Sequence, residues 1–162
     1  MNLGFVGLGD MGSLIVPRLM AAGHEVTGWN RTKSKADELI AQGVKWADTP
    51  SAAASDADFV FSILTDGPAV TEVALGTHGI RSGLRKGAIY IDMSTIAPEE
   101  SRCFADQVSI VGVRLLDAPV YGSVGPAKDG TLGIMVGGDR AVFEQFTGYF
   151  HLPEKVGLEA SP

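Results

Sequence analysis

The chain has 162 residues, 45% of them apolar and 20% charged, and a formal net charge of −6. This balance is typical of one globular domain with its own core, and the negative charge argues against nucleic acid as a partner. No apolar run approaches the roughly 20 residues that a membrane span needs, and the single cysteine, Cys103, excludes an intrachain disulfide. We therefore expect a cytoplasmic protein that binds neither nucleic acid nor membrane.

Short apolar runs alternate with amphipathic stretches along the first 147 residues. Strands are predicted over residues 3–6, 25–29, 44–46, 58–64, 88–92, 114–117 and 132–136. Helices are predicted over residues 11–22, 33–42, 49–55, 68–75, 98–109 and 140–146, and the helix over 49–55 begins with an N-cap, Thr49, followed by Pro50. Strand and helix in this alternation predict a doubly wound α/β domain with a mostly parallel sheet. Residues 148–162 are predicted to form an atypical, frayed tail.

The first strand runs directly into the glycine loop Gly7-Leu-Gly-Asp-Met-Gly12, and a helix follows it. In a G-x-G-x-x-G loop the first glycine permits a tight turn, and the second lets the backbone approach a pyrophosphate. The third allows close packing of helix on strand. The phosphates then lie against free N–H groups at the start of the helix. In this context the loop predicts a dinucleotide site.

The end of the second predicted strand bears on which dinucleotide binds. An NAD site places a carboxylate there for the ribose 2′-hydroxyl, whereas this chain has Asn30-Arg-Thr-Lys-Ser34. The guanidinium of Arg31 can pair with the 2′-phosphate of NADP, the hydroxyl of Thr32 can donate to it, and Asn30 can bond the ribose. We favour NADP over NAD. The alternative is that Arg31 and Lys33 form only a solvated helix start.

Four stretches of the sequence form a recognisable set: Gly4-Phe-Val-Gly-Leu-Gly-Asp-Met-Gly12, Gly23-His24 with Asn30-Arg31, Asp92-Met-Ser-Thr-Ile-Ala-Pro98, and Asp117-Ala-Pro-Val-Tyr-Gly-Ser123 with Gly130-Thr-Leu and Gly137-Gly138. Together they resemble the β-hydroxyacid dehydrogenases, a family that includes 3-hydroxyisobutyrate dehydrogenase and tartronate and glyoxylate/succinic semialdehyde reductases and is related to 6-phosphogluconate dehydrogenase. The resemblance covers about residues 1–147. It implies a Rossmann-type cofactor domain, a small carboxylate substrate and an all-helical second domain, which is not found in these residues.

The resemblance also implies roles for single residues. Leu64 and Thr65 would line the cofactor groove, although the family often has proline at the position of Thr65. Thr95 would lie near the nicotinamide and the substrate, and Ser94 and Thr95 can alternatively serve as the cap region of the following helix. The implied pyrophosphate loop consists of Gly7, Leu8, Gly9, Asp10, Met11 and Gly12.

The implied substrate loop departs from the family pattern D-A-P-V-S-G-G. Tyr121 stands in place of the serine, Gly122 is retained, and Ser123 stands in place of the second glycine. The tyrosine hydroxyl would reach several ångströms further than a serine hydroxyl, so it could narrow the pocket or meet a different acid. An equal alternative is that Tyr121 packs at a strand end.

The family's proton donor is a lysine in a G-x-G-x-x-x-K-x-x-x-N helix, and this motif does not occur in the 162 residues. No catalytic residue and no metal site are assigned from the sequence. The first hypothesis is therefore an NADP(H)-dependent oxidoreductase for a small hydroxyacid or semialdehyde, with this chain inactive by itself. The alternatives are a non-catalytic NADP-binding module or fragment, and a related enzyme such as an imine reductase. Whether the chain forms a homo-oligomer is left open.

Overall fold

A computed structural model of the chain describes residues 1–149 and 157–158. The strands are β1 (Asn2–Val6), β2 (Glu25–Trp29), β3 (Lys45–Trp46), β4 (Phe59–Ser62), β5 (Ile89–Asp92), β6 (Arg114–Asp117), β7 (Val120–Tyr121), β8 (Gly133–Gly138) and β9 (Gly157–Leu158). The helices are α1 (Gly12–Ala21), α2 (Asp37–Ala41), α3 (Pro50–Ala54), α4 (Gly67–Leu75), α5 (Ile80–Gly83), α6 (Pro98–Ser109), α7 (Val124–Asp129) and α8 (Arg140–Tyr149), with a 3₁₀ helix at Lys33–Ala36. Among these helices, none has the length and apolar character needed to cross a membrane.

The first six strands pair in parallel in the order β3-β2-β1-β4-β5-β6. On one face, residues of α1, α2 and α8 join a core around Phe5 and Phe61, whose rings stack with 5.9 Å between centroids. On the other face, α3, α4 and α6 cover a second core around Val60 and Tyr90. Strands covered on both faces are largely apolar, as β4 and β5 are up to their last residues. The predicted doubly wound α/β fold is thus confirmed.

Strands β6 and β7 lie end to end along the same neighbouring strand, β8. Both pair with β8 in one uninterrupted antiparallel register. The break between them falls at Pro119, which has no N–H for the ladder, although its carbonyl accepts a hydrogen bond from Met135 N at 3.1 Å. β7 therefore carries Tyr121 beyond the row in which the parallel strands end.

Capping side chains define the start of two helices. Thr49 precedes Pro50, and its Oγ1 accepts a hydrogen bond from Ala52 N at 3.0 Å, as the sequence predicts for α3. The carboxylate of Asp66 accepts from Ala69 N at 2.8 Å and begins α4. These bonds satisfy donors that have no partner inside a helix.

Three helical regions differ from the sequence prediction, and one of them is the short helix α5, which was not predicted. The helix predicted over 33–42 begins as a 3₁₀ turn, and α2 follows only from Asp37. Its start has no side-chain cap and carries Lys33 and Lys35, whose charges oppose the helix dipole there. Helix α7 was not predicted, because Gly125 and Pro126 read as loop residues. The predicted tail, residues 148–162, lies largely outside the described residues and stays a prediction.

Candidate functional site

One edge of the sheet gathers the residues proposed for cofactor binding. The parallel register aligns the last residues of five neighbouring strands in one row: Trp29, Val6, Ser62, Asp92 and Asp117. The segments that follow these strands therefore leave the sheet at its carboxyl edge. The direction of winding reverses between β1 and β4, and doubly wound proteins bind ligands at this position.

The three glycines of the loop after β1 have different surroundings. Gly7 has a φ of +104°, and a Cβ there would overlap the carbonyl of Ile63. A Cβ on Gly12 would overlap the Gly7 carbonyl and lie 3.1 Å from the ring of Phe5. At Gly9 no heavy atom beyond the adjoining residues Leu8 and Asp10 lies within 4 Å of the Cβ position. Gly7 and Gly12 are thus required by the fold, whereas Gly9 leaves space in which a ligand can approach the backbone.

The loop residues between these glycines are placed unequally. The side chain of Leu8 is buried in the core, so only its backbone could meet a cofactor. Asp10 is exposed and Met11 half-buried. No side chain caps the start of α1 at Met11, but Ser13 N and Leu14 N donate to the backbone carbonyls of Gly9 and Met11, so an anion would meet the N–H groups of the loop that precedes them. The loop fits a pyrophosphate.

The segment after β2 presents a cation to solvent. Asn30 Nδ2 donates to the carbonyl of Thr32 at 2.9 Å and holds the turn. Arg31 and Thr32 are both exposed. Within the described residues Arg31 forms no salt bridge, so its guanidinium is available to an anionic ligand.

Beneath the edge, β4 and β5 share a buried hydrogen-bond network. Asp92 Oδ1 accepts from Ser62 Oγ at 2.7 Å, from Ser94 Oγ at 2.6 Å and from Ser94 N at 3.1 Å. Since the single hydroxyl proton of Ser62 goes to Asp92, the hydroxyl of Tyr90 is the donor in its 2.8 Å bond to Ser62. Ser94 Oγ in turn accepts from Leu64 N at 2.9 Å. The network ties the segment after β4 to the segment after β5.

This network was missed by sequence reasoning. The signal was the pair of polar residues, Ser62 and Asp92, that end otherwise apolar strands. The alternative of Ser94 as a helix cap is wrong, because α6 has its N-cap at Ala97, whose N–H donates to Glu100. Thr95 and Thr65 are exposed at the edge, and Leu64 is half-buried beside them.

Burial raises the pKa of three groups near the edge. It raises the pKa of Asp92 above the ordinary value of 3.8, while the bonds from Ser94 and Ser62 oppose the shift. Burial and the charge of Asp92 raise the pKa of Tyr90 well above 10.0. Burial also raises the pKa of Asp117, with a bond from Ser101 opposing and the charge of Asp92 adding to the shift. Both carboxyls therefore retain their protons to higher pH than exposed ones.

The proposed substrate residues lie on and after β7. Tyr121 is 75% exposed, so its ring is not part of the core. Its Cδ1 is 3.5 Å from the Cβ position of the paired Gly133. Gly122 has a φ of +135° and is enclosed by Leu132 and Pro126, so only glycine suits this position.

Helix α7 joins the substrate loop to the cofactor helix. The helix begins after Ser123, whose exposed hydroxyl makes no capping bond. At its other end Arg18 Nη1 of α1 donates to the carbonyl of Lys128 at 2.8 Å. Gly130, with a φ of +71°, lies directly against this guanidinium. The structure thus brings the loop that carries Tyr121 and Ser123 back towards α1.

In residues 1–149 and 157–158, no group of three or more potential metal ligands is found.

Comparison with known proteins relates this geometry to a family. Residues 2–153 match the model of the NAD binding domain of 6-phosphogluconate dehydrogenase. The chain is 41% identical over 152 residues to 2-hydroxy-3-oxopropionate reductase of Escherichia coli, covering 94% of this chain and 52% of the reductase. It is 40% identical over 157 residues to the cytokine-like nuclear factor N-PAC of Danio rerio, covering 97% of this chain and 34% of that protein.

A solved structure of another protein has the same fold as this chain. Psf3, in complex with NADP+ and 2-OPP, superposes with a TM-score of 0.85 at 33% identity, over 90% of this chain and 52% of Psf3. The chain thus spans about a third to a half of the length of these proteins. It belongs to the β-hydroxyacid dehydrogenase family, as an NAD(P)-binding domain of the 6-phosphogluconate dehydrogenase type.

Proposed function

We propose that this domain binds NADP(H) in preference to NAD(H). The observation that carries the proposal is the exposed guanidinium of Arg31 directly after β2, where an NAD site has a carboxylate. A guanidinium can form two parallel hydrogen bonds with the 2′-phosphate, and this charge has no counterpart in NAD. The NADP+ complex of the related Psf3 supports the same preference.

Each segment at the sheet edge would hold one part of the cofactor. Backbone N–H groups around Gly9 would bind the pyrophosphate, and Asn30 and Thr32 would bond the adenosine ribose and its phosphate. Leu64 and Thr65 would line the groove on one side and Thr95 on the other, near the nicotinamide. When bound, the nicotinamide gives or accepts the hydride.

The substrate would be a small hydroxyacid or semialdehyde with a carboxylate. Tyr121 and Ser123 offer hydroxyl groups, and the solvent-exposed Gly122 offers its backbone N–H, all of which can donate to carboxylate oxygens. The 2-hydroxy-3-oxopropionate reductase relative supports this substrate class. Because Tyr121 is exposed beyond the sheet edge, its hydroxyl would meet the substrate further from the backbone than a serine would.

Turnover also requires a proton donor at the forming alkoxide. The lysine motif that the family resemblance implies does not occur in the 162 residues. We therefore expect this chain alone to bind NADPH without measurable reduction of glyoxylate, succinic semialdehyde or 2-hydroxy-3-oxopropionate. Oxidation of NADPH by any of these substrates, followed at 340 nm, would contradict that expectation.

A non-catalytic NADP-binding module is the second candidate. It is favoured by the 40% identity to N-PAC, which is named as a nuclear factor rather than a reductase. If this domain occurs within a longer protein, the two candidates predict different NADPH consumption by that protein. A reductase consumes NADPH with one of the three substrates, whereas a binding module retains cofactor affinity with no consumption.

Location and partners are expected to follow from composition. We expect a cytoplasmic location and no contact with nucleic acid or membrane. Whether the chain forms a homo-oligomer is to be measured by light scattering.

A titration tests the cofactor proposal directly. Binding of NADPH and NADH to the purified chain is measured by calorimetry under identical conditions. We expect NADPH to bind at least about tenfold more tightly, the effect of one charge-assisted hydrogen bond to the 2′-phosphate. Equal affinities would reject the preference while leaving dinucleotide binding intact.

A further inference from the structure

A second cation near the end of β2 is held on an aromatic ring. The ammonium of Lys33 lies 5.2 Å from the centroid of the Trp46 ring. This distance allows attraction between the positive charge and the negative face of the indole. Lys33 is therefore more restricted than an ordinary solvated lysine at a helix start.

The ring itself is fixed from two sides. Trp46 stands on β3 paired with Gly28 of β2, and it packs against the core beneath α1 and α2. Its Nε1 donates to Asp48 Oδ1 at 2.9 Å. The edge of the indole is thus anchored to a carboxylate while one face remains for Lys33, so the aromatic platform exists before any ligand binds.

The ammonium of Lys33 keeps hydrogen-bonding capacity for a ligand. Lys33 forms no salt bridge within the described part of the chain, and its side chain is exposed. An ammonium has three donors, and a ring face occupies only one side of it. The neighbouring Lys45 contrasts with this, because its Nζ is bound to Glu25 at 2.6 Å.

The position of Lys33 relates it to the proposed phosphate site. Lys33 follows Thr32 and lies two residues beyond Arg31, past the carboxyl end of β2. A phosphate monoester carries about −1.5 to −2 charges at neutral pH. The single charge of Arg31 would leave part of that charge without a partner, and a second cation would complement it.

We propose that Lys33, oriented by Trp46, binds the 2′-phosphate together with Arg31 and is a determinant of NADP specificity. The inference rests on the proposed preference for NADP. It assigns Trp46 an indirect role, as the residue that positions the ammonium. The ligand class is a 2′-phosphorylated adenosine, for which 2′,5′-ADP is a suitable probe and 5′-AMP its counterpart without the phosphate.

Calorimetric titration of the purified chain with 2′,5′-ADP and 5′-AMP tests the inference. Lys33→Ala is expected to weaken 2′,5′-ADP binding about tenfold, as expected for loss of a charged hydrogen bond, and to change 5′-AMP binding less than about twofold. Lys33→Arg keeps a cation that can stack on indole, so it should restore most of the affinity. Trp46→Phe should retain more 2′,5′-ADP affinity than Trp46→Leu.

Salt dependence and a matched control separate a direct contact from a general charge effect. Lys45→Ala removes the same charge one residue from Trp46 and is expected to leave both affinities unchanged. Between 50 and 300 mM salt, the plot of log affinity against log salt should become less steep in Lys33→Ala than in the unaltered chain. Thermal melts confirm that each variant is folded.

The outcomes distinguish the inference from the proposal on which it rests. If the unaltered chain binds 2′,5′-ADP no better than 5′-AMP, both are rejected. If Arg31→Ala abolishes the preference but Lys33→Ala does not reduce it, the NADP proposal stands and the role of Lys33 is rejected. Equal losses from Lys33→Ala and Lys45→Ala, or equal losses for the two probes, likewise reject it.

Discussion

The hydroxyl oxygen of Ser94 accepts a hydrogen bond from the backbone N–H of Leu64 at 2.9 Å. The same hydroxyl donates to Asp92 at 2.6 Å, so one buried side chain joins the segments after β4 and β5. Both segments line the proposed cofactor groove. The groove is therefore shaped by a bond between neighbouring strands as well as by the glycine loop.

Ser94→Ala should weaken both the fold and the groove. The substitution leaves Leu64 N and one bond of Asp92 without their partner, which costs about 1–3 kcal/mol of unfolding free energy. We also expect weaker NADPH binding, because Leu64 and Thr65 lose their fixed position. Urea unfolding and calorimetric titration measure the two effects. Ser55→Ala, which removes an exposed hydroxyl bonded to Ala52 O at 3.1 Å, is the control and should change neither by a comparable amount.

The raised pKa of Asp92 predicts a specific pH dependence of stability. The folded state holds the Asp92 proton more tightly than the unfolded state, so this proton stabilises the fold below the ordinary pKa of 3.8. The stabilisation is lost as the pH rises from 3.8 through the raised pKa of Asp92. Above the raised pKa, the free energy of unfolding no longer changes with pH through this group. Asp92→Asn does not titrate, so its stability relative to the unaltered chain should increase over this range. A difference that stays constant or decreases from pH 4 to 8 in urea unfolding would contradict the shift.

Gly9→Ala should lower cofactor affinity, whereas Gly12→Ala should lower the stability of the fold. The added methyl at position 9 meets no heavy atom beyond its chain neighbours within 4 Å, so the unfolding free energy should stay within about 1 kcal/mol. Cofactor affinity should fall, because the methyl enters the space of the pyrophosphate. At position 12 the methyl overlaps the Gly7 carbonyl, and we expect a loss of about 1–3 kcal/mol in stability. Urea unfolding and NADPH titration of both variants provide the comparison. Gly9→Ala with unaltered NADPH affinity would show that the cofactor lies elsewhere.

Arg31→Ala should separate the two cofactors. The variant loses a charged hydrogen bond to the 2′-phosphate, which corresponds to about 1.5–3 kcal/mol of NADPH binding free energy, and NADH binding should change little. Arg140→Ala removes an exposed arginine from the salt bridge with Glu144 on α8, and serves as the control for net charge. Equal losses for NADPH and NADH in Arg31→Ala would remove the basis of the assignment.

The features that were predicted from the sequence depend on local rules. The glycine loop could be recognised because Gly7 needs a positive φ and Gly12 a close helix contact, and both requirements are confirmed. Alternation of strand and helix predicted a mostly parallel sheet, since parallel neighbours need crossover connections, and the strands from β1 to β6 are parallel. The cap at Thr49 was equally local.

The features that were missed depend on pairing between distant segments. The network of Ser62, Asp92 and Ser94 forms only when β4 and β5 pair in the observed register, which no local pattern reveals. Lys33 and Trp46 meet only because β3 joins the edge of β2. Gly125 and Pro126 are typical of loops, yet they lie in helix α7. The end of this helix is bonded to Arg18 of α1, which is distant in sequence.

The central claim is that Arg31 and its surroundings select NADP(H). Its most direct test is parallel calorimetric titration of the unaltered chain with NADPH and NADH at pH 7 and low salt. The account predicts NADPH binding at least about tenfold tighter than NADH binding, with the difference decreasing as salt is added. Equal affinities, or tighter binding of NADH, would contradict it.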